Sequence, residues 1–116
     1  MIEFTTKDSG ERVEFDSGMK RDIQDDKARF DLCLPKGVPY KDQMLTRFAM
    51  LLERGRQKYG ERNWEKADSP EELERFKQSG LRHMMQWICG EQDEDHAAAV
   101  MFNLLAYEAT KRKLKE

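Results

Sequence analysis

Residues 79–103, SGLRHMMQWICGEQDEDHAAAVMFN, hold both histidines of the chain, His83 and His96, together with Trp87, Cys89 and its densest run of carboxylates. Apolar residues recur at helical spacing on either side of the acidic run, so the stretch predicts two helices that double back on each other across a turn at Cys89–Asp93. With the bend near Gln92, Glu91, Asp95 and His96 lie closest to the turn, and His83 falls roughly opposite Asn103. His83 and Trp87 share one helical face, while Asp95, Phe102 and Asn103 share another, so the polar members of both helices are expected to converge on one cleft. Glu91, Asp93, Glu94 and Asp95 repel one another unless water screens them or a cation neutralises them, and an all-oxygen donor set suits Mg²⁺ or Mn²⁺. The plainer alternative is a solvated acidic helix start with the histidines packed in the core.

The flanking segments complete a helical core over residues 42–116. Upstream, DSPEELERF at residues 68–76 marks a helix start, with Ser69 as N-cap, Pro70 at the first helical position and Glu72 at capping-box spacing. That helix is expected to run to Gly90, with Gly80 as a point where another backbone or a ligand comes close. The last helix should begin near Asp93–Asp95 and end in the basic run KRKLK, while Ala97, Ala98 and Ala99 admit a near neighbour. An earlier helix is expected from Asp42, as N-cap, to Gln57, because Met44, Leu45, Phe48, Leu51 and Leu52 recur at helical spacing and leave Lys41, Arg47, Glu53 and Arg54 available to water. Gly55 and Gly60 should end or bend it. Lys58, Tyr59, Asn63 and Trp64 then supply a phosphate charge, a stacking face and a base-edge hydrogen-bonding group, as a nucleotide site requires; equally, Tyr59 and Trp64 plug the core beneath a loop.

Residues 1–41 form an arm and linker of the same single domain. A short strand or hairpin around Ser9–Gly10 is expected, with Phe4, Val13 and Phe15 on one side. Arg21, Lys27 and Arg29 follow in an irregular acidic stretch, either as a solvated arm or as cations that close over a polyphosphate. CLPKGVPY at residues 33–40 is a turn-rich linker.

Twenty-one basic residues nearly cancel twenty-three acidic ones, for a net charge of −2, which argues against binding bulk nucleic acid through a broad positive field. No apolar run is long enough for a membrane span, and the first residues lack the pattern of a secretion signal, so a cytoplasmic location is expected. Cys33 and Cys89 have no CxxC-like partner and are expected as free thiols.

Five blocks in order, SGMKRD, DKARFDL, KYGERNWEK, SGLRHMMQW and DEDHAAAVMFN, resemble the phage-type dATP/dGTP diphosphohydrolases, relatives of the MazG-like nucleoside triphosphate pyrophosphohydrolases. The resemblance spans about Phe15 to Tyr107. It implies an all-α, MazG-like helical bundle with an irregular or short β N-terminal arm, assembled as a homo-oligomer, dimer or tetramer, because three helices of this length hardly enclose a nucleotide cleft alone. The implied activity is hydrolysis of a purine deoxynucleoside triphosphate to monophosphate and pyrophosphate with Mg²⁺ or Mn²⁺, in the host cytoplasm if the protein is phage-encoded.

By the same resemblance Glu91, Glu94 and Asp95 are the metal ligands, with His96 beside them as ligand or support. Glu91, Asp95 and His83 are the catalytic candidates. Lys58, Arg82, Arg21, Lys27 and Arg29 would contact phosphate, Asn63 with Tyr59 or Trp64 would hold the base, and His96 and Asn103 complete the substrate side. The chain departs from the MazG pattern of EExxE on one helix and ExxD on the next: it has ExxED at Glu91–Asp95, then His96, Ala99 and Asn103 where a second acidic pair belongs. His83, Asp93, an upstream acid or a partner subunit would complete the shell; otherwise the chain is a noncatalytic nucleotide-binding or protein-interaction module.

Overall fold

The computed structural model describes residues 3–23 and 26–115, which fall into two compact units, Met1–Asp31 and Leu32–Glu116. In the first unit, β1 (Arg12–Glu14) pairs antiparallel with β2 (Lys20–Asp22), Val13 standing opposite Arg21. Opposite charges meet across the ladder, where Arg12 lies 2.9 Å from Asp22. The hairpin closes after Phe15, not at Ser9–Gly10 as the sequence predicts. Gly18, at φ 92°, donates its N–H to the Phe15 carbonyl, and the Phe15 N–H reaches the Met19 carbonyl. Gly10 also has positive φ, but its N–H is held by the Asp8 carboxylate in a local turn that precedes the strand.

The second unit is helical, and the protein is mostly helical with a two-stranded antiparallel sheet near its N-terminus. Helix α1 spans Met44–Tyr59, α2 Pro70–Ile88 and α3 His96–Lys115, with a 3₁₀ turn at Asn63–Lys66 between the first two. Asp42 does not cap α1; it ends a separate 3₁₀ turn, and Gln43 takes the cap position. The Gln43 amide donates to the carbonyls of Pro35 and Val38, both at 3.0 Å, tying the proline-rich linker to the helix start. Gly55 neither ends nor bends the helix into two, and termination falls to Gly60 at φ 95°.

Helix α2 begins as its sequence predicts. The Ser69 hydroxyl accepts from the Glu72 N–H, and the Glu72 carboxylate accepts from the Ser69 hydroxyl and the Asp68 N–H. It ends in a Schellman arrangement: the Glu91 N–H reaches the Gln86 carbonyl, the Gly90 N–H reaches Trp87, and Gly90 adopts φ 77°. Helix α3 starts at His96, just beyond the acids, with the Asp95 carboxylate accepting from the Ala98 N–H.

Helix α3 is central, packing against both α1 and α2. Its buried apolar residues, Ala98, Ala99 and Ala106, are small, so α2 comes close: a Cβ at Gly80 would lie 3.2 Å from the Asn103 Cβ. This contact sets the register and places Gly80, rather than His83, opposite Asn103. Phe102 receives Trp64 and Phe76 edge-to-face at ring distances of 6.1 and 6.3 Å. The Lys113 ammonium donates to the carbonyls of Glu65 and Ala67, fixing the 3₁₀ turn to the far end of α3. Large apolar residues remain exposed on α2 and α3, among them Leu81, Trp87, Ile88 and Leu104, each more than half exposed. No described helix is long and apolar enough to cross a membrane. Cys33 and Cys89 are free and exposed.

Candidate functional site

The Schellman turn and the Asp95 cap hold the acidic bend in place, because each uses backbone groups that the helix ends would otherwise leave unpaired. Glu91, Glu94, Asp95 and His96 line one cleft of about 310 Å³ together with Arg47 from α1 and Trp87 from the last turn of α2. Arg47 was expected to face water. Instead its Nε and Nη2 donate to the two oxygens of Asp95 at 2.8 and 2.7 Å, a bidentate pair across 48 residues. These bonds, with the Ala98 N–H, hold the Asp95 carboxyl below the usual carboxylate range despite its partial burial. Among the described residues, Glu91 and Glu94 have no side-chain hydrogen bond or ion pair.

Behind the cleft lies a hydrogen-bonded chain. The Asp93 carboxylate meets His96 Nε2 at 2.7 Å, and His96 Nδ1 meets His83 Nδ1 at 2.9 Å. His96 is 2 % exposed and His83 9 %. The contact with His96 draws the Asp93 carboxyl below its ordinary value. Burial, reinforced by the charge of Arg82, makes His83 harder to protonate than a free imidazole. Glu94 reaches the same pair: one carboxylate oxygen and one nitrogen from each ring lie within 4.8 Å of one another.

A second cleft, of about 360 Å³, opens between α1 and the segment after it. Tyr59, Asn63 and Trp64 line it with Phe102, Arg56 and Arg62. Trp64 lines this cleft and also packs edge-to-face on Phe102, as the plainer reading of this aromatic has it. Lys58 sits 5.2 Å over the Tyr59 ring.

The remaining expected residues fall elsewhere. Arg82 is exposed, and its guanidinium approaches the Ser79 hydroxyl. Asn103 does not join the acidic cleft; it is buried against Gly80 and donates to the Ala99 carbonyl at 2.8 Å. In the first unit Arg21 and Lys27 share a cleft with Val13, Phe15 and Met19, whereas Arg29 is bound through two hydrogen bonds to Asp31. Arg47 is the cleft residue that sequence reasoning missed: it falls among the cations expected to face water, and its partner Asp95 lies 48 residues away.

Fold and cluster together define a small helical protein with carboxylates and imidazoles gathered at a helix bend, a donor set able to hold a divalent cation. A family model described as dATP/dGTP diphosphohydrolase, N-terminal, matches residues 17–116, and the chain belongs to that family. The description refers to an N-terminal region. No curated protein and no solved structure matches the chain.

Proposed function

We propose that the protein hydrolyses purine deoxynucleoside triphosphates, dATP and dGTP, to monophosphate and pyrophosphate with Mg²⁺ or Mn²⁺, on a MazG-like scaffold. The observation that carries this reading is the cleft at the bend, where two carboxylates without partners stand beside an arginine fork in a chain of this family. Glu91 and Glu94 would hold a hard divalent cation through their free oxygens, Asp95 would be a third ligand on release from Arg47, and the guanidinium so freed would contact the triphosphate. The ion supplies charge neutralisation and an acidified water. Lys58, over the Tyr59 ring, adds positive charge for phosphate, and the Tyr59, Asn63 and Trp64 cleft supplies a stacking face and an amide for the base. Exposed apolar faces on α2 and α3 support assembly as a homo-oligomer.

The test is a panel of the four dNTPs and four NTPs with Mg²⁺ or Mn²⁺ and identification of the phosphate product. dATP and dGTP are expected to yield pyrophosphate, with loss of product in chelator and a fall of about a hundredfold or more in Glu91→Gln. Absence of pyrophosphate from every nucleotide overturns the reading. The engagement of both Asp95 oxygens by Arg47 favours one alternative, a noncatalytic nucleotide-binding module, which predicts nucleotide affinity without turnover.

A further inference from the structure

We infer that His83, His96 and Glu94 form a site for one divalent transition-metal ion, distinct in chemistry from an all-oxygen Mg²⁺ site. The protonation pattern is set from one end. Ionised Asp93 only accepts, so the proton of a neutral His96 sits on Nε2, 2.7 Å away. His96 Nδ1 then carries a lone pair and lies 2.9 Å from His83 Nδ1.

Two arrangements satisfy that approach. In one, His83 Nδ1 carries a proton and donates it to His96, which leaves the Glu94 carboxylate without a partner. In the other, both nitrogens present lone pairs to one ion, and the Glu94 oxygen, within 4.8 Å of both rings, becomes the third donor. Nitrogens 2.9 Å apart subtend about 90° at an ion bonded to each at about 2.05 Å, a cis pair of an octahedral or tetragonal site. Asp93 occupies the outer position that orients a metal-bound imidazole. Both rings are buried while Glu94 is exposed, so the protein covers the nitrogen side and leaves the opposite side to water or an anionic ligand. Two imidazoles and one carboxylate select ions such as Co²⁺, Zn²⁺ or Ni²⁺ over Mg²⁺.

The site shares Glu94 with the hydrolytic reading and does not rest on it. The experiment titrates the untagged full chain, stripped of metal, with Co²⁺ in excess Mg²⁺ and follows the visible absorption of the ion. The expected result is a new band at shorter wavelength than that of aqueous Co²⁺, because imidazole nitrogen exerts a stronger field than water, saturating at one ion per chain and persisting in excess Mg²⁺. Glu94→Gln, at an exposed position, and His83→Gln should each weaken binding about a hundredfold, and Asp93→Asn about tenfold, with circular dichroism reporting that each variant is folded. No band, a band that Mg²⁺ removes, or undiminished binding in folded Glu94→Gln overturns the inference. Mg²⁺-supported pyrophosphate release without a Co²⁺ band overturns this site and leaves the hydrolytic reading; a saturable band without release does the reverse.

Discussion

Arg47 closes its fork on both oxygens of Asp95 and so fixes α1 against the start of α3 at one point, while Asp95 also caps α3. Arg47→Lys keeps the charge and loses the planar fork, with an expected cost of about 1 kcal/mol in urea unfolding, modest because the Arg47 side chain is 39 % exposed. Asp95→Asn, which weakens pair and cap together, should cost more, about 1–2 kcal/mol. Nothing local announces this pair. The helical pattern places Arg47 among solvated cations, and a partner 48 residues away leaves no trace in spacing. The same holds for His83, whose partner His96 lies one helical turn nearer the bend than the residue level with it in the Gly80–Asn103 register.

Element boundaries are readable where the side chains that fix them are neighbours in sequence. Ser69, Pro70 and Glu72 specify the start of α2 and Gly90 its end, and all four behave as their local chemistry dictates. Where several residues qualify, sequence cannot choose: Gly10 and Gly18 both adopt positive φ, and only Gly18 returns the chain into a ladder. An interior glycine costs a helix about 1 kcal/mol, which α1 absorbs at Gly55. The α2 cap also carries a pH dependence. The Ser69 hydroxyl, with the Asp68 N–H, holds the Glu72 carboxyl below its ordinary value. A folded-state pKa below the unfolded one contributes stability that is complete above the unfolded value of about 4.3 and is lost as pH falls through the lower folded value. Glu72→Gln should therefore flatten the acid side of the stability profile, seen as a smaller drop in thermal midpoint from pH 6 down to about pH 3.

At the scale of the whole molecule, the helical class, the paired helices about residues 79–103 and the acidic bend follow from periodicity and composition, whereas the small size of the buried core does not. The fully buried apolar residues among those described are alanines, and Leu81, Trp87, Ile88 and Leu104 keep more than half their surface in water. Burying a side chain of that size stabilises by roughly 1.5–3 kcal/mol, a large share of what a domain of this length can hold in reserve. If these faces meet in an assembly, the thermal midpoint should climb with protein concentration over a hundredfold range, by mass action; a constant midpoint would leave them bare. Dilution would then act on the fold as heat does. The fraction of chains in working form would be set by how much protein the cell makes, so that weak expression and a destabilising mutation would produce the same defect.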